Sequence, residues 1–237
     1  EAYRLAAATN AMPEVCGRIC PQDRLCEGAC VIEQSGHGTV TIGAIENYIV
    51  ETAFANGWVA PARPVRENGR SVAVVGAGPA GLAAAELLRA DGFSVVVYDR
   101  YDRAGGLLIY GIPNFKLEKS VVARRIALLE AAGVEFRLNF EVGRDASLED
   151  LTCRHDAVLI ATGVYKARAL ECPAEPGAAA AALDYLTASN RKGLGDAVAA
   201  FDTGALDAAG KTVVVIGGGD TAMDCVRTAV RQGARSV

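Results

Sequence analysis

The feature that most constrains this chain is a short apolar run that breaks into glycines. Ser71 to Val75 reads SVAVV, the composition of a strand buried in a parallel sheet. It runs into Gly76-Ala77-Gly78-Pro79-Ala80-Gly81, then into an Ala- and Leu-rich helical stretch from Leu82 to Arg89 that Gly92 closes. Phe93 to Tyr98 is a second apolar run and ends at Asp99. Strand, glycine turn, helix and strand form one βαβ unit, expected to cross over right-handed. A lone G-x-G-x-x-G is weak evidence, but in this context it is the full dinucleotide-binding pattern. Gly76 then allows the tight turn, Gly78 lets the backbone approach a pyrophosphate, and Gly81 lets helix and strand pack closely. The helix N-terminus supplies N–H groups and a partial positive charge. Asp99 is placed to accept hydrogen bonds from ribose hydroxyls. The competing reading is a glycine turn in an α/β core without a ligand.

The pattern returns later in the chain. After Gly105, Gly106 and the stretch GIPNFKLEK come a helix of about 15 residues ending near Gly133 and strand-like segments at 134–142 and 157–160. The second of these strands ends in Ala161-Thr162-Gly163, and a helical stretch lies near Leu183. At Thr212 a strand, TVVVI, leads into Gly217-Gly218-Gly219-Asp220-Thr221-Ala222 and a helix to about Gln232. This would be a second dinucleotide site. The acid or arginine that separates NAD from NADP would lie past Val237. Two such sites imply two cofactors that exchange electrons, most economically a flavin and a nicotinamide. Such chemistry needs little side-chain acid or base. The two histidines, His37 and His155, read as structural or solvated, and Arg227 and Arg231 as a solvated helix face.

Seven cysteines are present, four of them close together as Cys16, Cys20, Cys26 and Cys30. No secretion signal opens the chain, so a disulfide framework is disfavoured. Zinc ribbons bring their ligands in tight C-x2-C pairs, and these gaps are longer. Pro21 follows Cys20, and Cys-Pro steps recur beside iron–sulfur ligands. Clustered thiolates suit a soft metal centre. Iron–sulfur leads on spacing, with zinc and unmetallated thiols still open. Cys153, Cys172 and Cys225 are isolated and read as packing residues. From Ile42 to Asn56 a helix is expected, N-capped by Thr41, with an apolar face of Ile42, Ile45, Ile49 and Ala53. Glu46 falls inside that face, where a carboxylate must be paired, bind metal or merely rim the face.

Composition sets the outer limits. A chain of 237 residues is long enough for about 1.6 domains. With 51% apolar and 22% charged residues it is globular. The net charge of −4 argues against a nucleic-acid or anionic-membrane partner, and no apolar run is long enough to span a membrane. The Pro-rich stretch PARPVRENGR marks a boundary near residues 61–70. The absence of an initial Met and the break just into a strand read as an internal piece of a longer protein.

Taken together, CGRICPQDRLCEGAC, TIGAIENYI, VAVVGAGPAGLAAA, GGLLIYGIPNFKLEK, VLIATG and VVVIGGGDTAMDCVRTAVRQGA resemble the small (beta) subunit family of NADPH-dependent glutamate synthase. Dihydropyrimidine dehydrogenase and the large subunits of NADPH–ferredoxin oxidoreductase share this module. The resemblance implies an α/β chain: a helical iron–sulfur domain and connector over 1–69, the first part of a Rossmann-like FAD domain over 70–165, and the start of an inserted NADPH domain over 166–237. It implies a cytoplasmic enzyme in which NADPH reduces FAD and electrons leave through [4Fe–4S] clusters to a large (alpha) subunit. There glutamate is made from 2-oxoglutarate and glutamine. By position, Cys20, Cys26 and Cys30 correspond to cluster ligands, and Cys16 matches the motif. Glu46 stands where the dehydrogenase relatives have an iron-ligating Gln. Gly76, Gly78, Pro79, Ala80, Gly81, Asp99, Gly106, Leu107, Val142 and Gly163 match FAD positions. Gly218, Gly219, Asp220 and Thr221 match NADPH positions. An upstream cysteine motif that would complete the clusters is absent. The same module could feed ferredoxin or a pyrimidine-reducing domain. A thioredoxin-reductase-like enzyme is disfavoured because residues 190–216 hold no Cys. A zinc-bearing interaction module is the non-catalytic alternative.

Overall fold

Four of the five residues of strand β1 (Ser71–Val75) are buried, as a central parallel strand requires. A computed structural model describes residues 1–167 and 179–237. β1 pairs in parallel with β2 (Ser94–Tyr98) on one side and with β4 (Ala157–Ile160) on the other. β3 (Glu135–Arg137) pairs with β2, giving the order β3-β2-β1-β4. Register follows the apolar residues: Val74 faces Val97 and Leu159. One face of the sheet packs Ala73, Val75, Val96 and Tyr98 onto Leu151 of a helix at Leu148–Arg154, with Phe140, Val142 and Val158 around them.

The described chain divides into two compact units, Glu1–Ala104 with Lys119–Thr162, and Gly105–Glu118 with Gly163–Val237. In the first, α1 (Ala2–Ala7), α2 (Pro13–Ile19), α3 (Val31–Gln34) and α4 (Ile42–Ala55) precede the sheet. α5 (Pro79–Ala90) joins β1 to β2, and α6 (Leu107–Tyr110) and α7 (Lys119–Ala131) follow β2, α6 lying in the second unit. α8 (Leu148–Arg154) opens on a capping box: the Ser147 hydroxyl accepts from the Asp150 N–H at 3.0 Å, and the Asp150 carboxylate accepts from the Ser147 N–H at 2.9 Å. The helical segment and the sheet thus share one unit across the Pro-rich connector.

The second unit holds α6, α9 (Ala182–Gly193), α10 (Ala199–Asp202) and α11 (Asp220–Arg231). Here the stretch after β2 is anchored by side chains. Asn190 donates to the Tyr110 carbonyl at 2.9 Å, Lys116 meets Asp224 at 3.3 Å, and the Arg231 guanidinium lies 3.8 Å from the Phe115 ring centroid.

Several expectations need correction. The strand expected at 134–142 shrinks to Glu135–Arg137, because Asn139 takes φ +55°, which ends the extended ladder. The strand expected at TVVVI is reduced to a single bridge between Thr212 and Ser236. The Val213 N–H donates to the Ser236 carbonyl at 2.9 Å and the Arg235 N–H to the Lys211 carbonyl at 2.8 Å. Helix α4 forms, but its buried residues are Gly43, Val50 and Ala53, while Ile42 and Ile45 are 42% and 47% exposed. The reason is close approach: a Cβ on Gly17 of α2 would sit 3.0 Å from the Gly43 carbonyl oxygen, so the glycine side of α4 packs inward. The Thr41 side chain makes no cap hydrogen bond. Cys153 is exposed rather than packed, Cys225 is buried as expected, and Cys172 lies outside the described residues.

Candidate dinucleotide and cysteine sites

The first glycine loop forms where β1 ends. Gly76 takes φ +113°, and a Cβ there would meet the Ala161 carbonyl oxygen at 2.4 Å, so only glycine fits the turn. Its N–H donates to the Tyr98 carbonyl at 2.8 Å, tying the loop to β2. A Cβ on Gly81 would stand 1.9 Å from the Gly76 carbonyl oxygen, which fixes how closely α5 lies over the loop. Gly78 differs: it caps α5 with extended geometry, and a Cβ there would meet no heavy atom within 4 Å. Gly78 is the residue directly before the first N–H groups of α5, and Pro79 and Ala80 form the first turn. That is the cradle a diphosphate requires, and the residues present fit FAD at this point.

Asp99 closes the loop from the end of β2. It is 9% exposed, and its Oδ2 accepts from the Ala77 N–H at 2.6 Å while Oδ1 accepts from the Tyr101 N–H at 2.9 Å. The carboxylate therefore also holds the glycine loop in shape, a role the spacing alone did not reveal. Each oxygen keeps a further lone pair for a ribose hydroxyl. Val142 packs against the cluster that contains Val75 and Tyr98 and makes an isolated bridge to Ala146. Gly106, Leu107 and Gly163 belong to the second unit. Gly105 and Gly106 are buried at φ +122° and +52°, a turn that glycine permits.

The second glycine loop repeats the local geometry. Gly217 takes φ +136°, Gly219 caps α11, and added Cβ atoms on Gly218 and Gly219 would meet nothing within 4 Å. Asp220 and Thr221 form the exposed first turn of that helix. Along α11, Asp224 and Cys225 are buried, and burial pushes the Cys225 thiol up to about 11. Arg231 does not merely face solvent, since it covers Phe115.

The four clustered cysteines have distinct surroundings. Cys20 lies beside Cys16, with Glu46 and Cys26 near enough to be felt: burial raises the Cys20 thiol first, and its contact with Cys16 and the proximity of Glu46 and Cys26 raise it further. Asn10 links this corner, donating to Glu46 Oε1 at 2.8 Å and accepting from the Cys16 thiol at 3.6 Å. Glu46 is half-buried, on the side of α4 that carries Gly43 and Val50. Cys30 has different company. Its Sγ accepts from the Val40 N–H at 3.5 Å, and backbone N–H groups lower its pKa. Among the described residues, no group of three or more His, Cys, Asp or Glu is arranged to hold a metal ion. The donor chemistry suits an iron–sulfur cluster, but a complete ligand set is not assembled by these residues.

Sequence reasoning missed a buried charge network in the same unit. Arg125 on α7 grips Glu14 with two hydrogen bonds, Nε to Oε1 at 2.6 Å and Nη2 to Oε2 at 2.9 Å, and donates from Nη1 to Glu86 at 2.7 Å. No local pattern could have paired residues so far apart in the chain. The only available signal was a Glu at the start of a short helix, directly after Pro13.

Residues 70–237 match the family described as pyridine nucleotide-disulphide oxidoreductase, and residues 1–58 match the family described as dihydropyrimidine dehydrogenase domain II, 4Fe-4S cluster. The chain is similar to the small chain of NADPH glutamate synthase from Azospirillum brasilense, 68% identical over the whole of this chain and 49% of that protein. It is 50% identical to the Escherichia coli K12 glutamate synthase [NADPH] small chain, again over the whole chain and 50% of the relative. The chain thus spans about half the length of the curated relatives it matches. Among solved structures it is similar to Mycobacterium tuberculosis FprA in complex with NADPH, with a TM-score of 0.55 and 30% identity over 67% of this chain and 36% of that one. No helix among the described residues is long and apolar enough to cross a membrane.

Proposed function

Because the chain belongs to the pyridine nucleotide-disulphide oxidoreductase family, we propose that it is part of the electron-input subunit of a glutamate synthase, oxidising NADPH through FAD. The observation that carries this reading is the open cradle at Gly78, built by two glycines whose backbones pack too closely for an unstrained Cβ and a carboxylate that pins the loop, in a chain 68% identical to a glutamate synthase small chain. Bound FAD would supply hydride acceptance from NADPH and one-electron release, and these residues would hold it. The chain's own residues bind and orient. Gly76, Gly78, Pro79, Ala80 and Gly81 present the α5 N-terminus to the FAD pyrophosphate, and Asp99 takes the ribose. Gly106, Leu107, Val142 and Gly163 are further FAD positions that rest on the family resemblance alone. Gly218, Gly219, Asp220 and Thr221 hold the NADPH diphosphate at the N-terminus of α11.

In this reading residues 1–69 carry the cluster ligands, 70–165 the first part of the FAD domain and 166–237 the NADPH domain. Cys20, Cys26 and Cys30 bind [4Fe–4S] clusters, with Glu46 and Cys16 as further candidates, and ligands outside residues 1–237 complete the sets. The partner is the large subunit, in the cytoplasm, where the electrons reduce the imine formed from 2-oxoglutarate and glutamine-derived ammonia. A second reading, the same module serving another acceptor, draws support from the match of residues 1–58 to the dihydropyrimidine dehydrogenase domain.

The test is anaerobic purification of the full-length parent, assayed for iron, acid-labile sulfide, zinc and flavin per chain. Iron, sulfide and one FAD, with glutamate formed only when the large subunit is added, are expected. Zinc without sulfide, or no flavin, would overturn the reading. Electron delivery to ferredoxin or to a pyrimidine instead of to glutamate formation would select the second.

A further inference from the structure

The Arg125 network joins three helices that serve different sites. Glu14 lies in the first turn of α2, the helix that also carries Cys16 and ends at Cys20. Glu86 lies on α5, the helix that begins at the Gly78 cradle. Arg125 lies on α7 and bonds both carboxylates. The Arg125 and Glu14 side chains are 4% and 0% exposed, so this is a desolvated contact. The phenol of Tyr3 also interacts with Arg125. A second tie runs parallel: Glu51 of α4 accepts from Arg18 of α2 at 2.9 Å and from Arg124 of α7 at 2.8 Å, and the Arg124 guanidinium lies 3.7 Å from the Phe54 centroid.

Desolvating the Arg125–Glu14 pair is costly, and apolar side chains of similar size often fill such a site with equal or greater stability. What apolar packing lacks is direction. A planar fork bonded to one carboxylate through two nitrogens and to another through the third permits one arrangement of the three helices. We propose that Arg125 is a positioning residue: it locks the cysteine-bearing helices onto the dinucleotide-binding helix, fixing the separation between the cysteine site and the flavin site. This rests on the electron-input reading above, since electron tunnelling falls off exponentially with distance. The helical segment is then one rigid body with the sheet rather than a tethered domain.

The experiment uses the full-length parent as purified holoenzyme, with Arg125→Met and with the triple variant Glu14→Leu/Glu86→Leu/Arg125→Met, which leaves no unpaired charge should the single variant fail to fold. Hydrogen exchange is followed at α2 and β1, and anaerobic stopped-flow separates flavin reduction by NADPH from electron passage to the clusters. In the wild-type protein α2 and β1 are expected to open together. In the variants α2 exchanges ahead of β1, flavin content and flavin reduction stay close to wild type, and flavin-to-cluster transfer slows on the order of tenfold or more. Arg125→Lys, which keeps the charge but loses the fork, gives an intermediate loss. A triple variant that folds with wild-type transfer and co-protected α2 would overturn the proposal. A wild-type protein without flavin or clusters would instead sink the electron-input reading, and the exchange data would still decide whether Arg125 is the lock.

Discussion

Replacing Gly78 and Gly81 by alanine, one at a time, separates ligand binding from folding within four residues. Gly78 sits at φ −75° and ψ −178°, a conformation any residue adopts, and its added methyl would touch nothing within 4 Å. Alanine loses some of glycine's unfolded-state freedom, which favours the variant by about 0.4–1 kcal/mol. It is also the poorer N-cap, which offsets a similar amount. Stability should therefore move by less than about 1 kcal/mol, or some 2–4 °C in melting temperature. Binding should not survive so well. The methyl stands in the space through which the α5 N–H groups reach a diphosphate, and hydrogen bonds to charged groups contribute about 1.5–3 kcal/mol each. Loss of one or two weakens FAD by roughly 100-fold. At Gly81 the balance reverses. There the methyl would lie 1.9 Å from a backbone oxygen, so the loop or helix must shift. Such overpacking costs about 1–3 kcal/mol and should lower melting by roughly 2–12 °C. The assay is thermal melting and flavin absorbance per chain on the full-length protein. A Gly78→Ala protein with stoichiometric flavin, or a Gly81→Ala protein that melts like wild type, would refute the reasoning.

Two further outcomes follow from the first unit. Glu51 is held below its ordinary value of 4.5 chiefly by the hydrogen bond from Arg124, with Arg18 adding to it. Its stabilisation is thus complete above the unfolded value and is lost as pH falls through the lowered folded value. Glu51→Gln should cost stability at neutral pH and progressively less in acid, read from urea midpoints; an equal cost at both would contradict the assignment. Cys26→Ser should lower the iron and sulfide content of the full-length protein while leaving flavin in place, and unchanged iron would remove Cys26 from the ligand set.

What the sequence determined by itself is local. SVAVV, the glycine loop and the apolar run ending at Asp99 become β1, the turn, α5 and β2 because each signal acts within a few residues: a strand buried on both faces, a positive φ at Gly76, an extended cap at Gly78. Helices α7 and α11 fall where apolar spacing and closing glycines put them, and α9 covers the helical stretch expected near Leu183. What the tertiary structure decided lies in pairings that no periodicity encodes. Which face of α4 is buried depended on Gly17 and Gly43 letting two backbones approach, so the side bearing Ile42 and Ile45 turned outward. Asp99 proved to hold the loop it was expected only to serve. Glu14, Glu86 and Arg125 meet across separate helices because buried charges must find partners, and the partner lies wherever the fold places it.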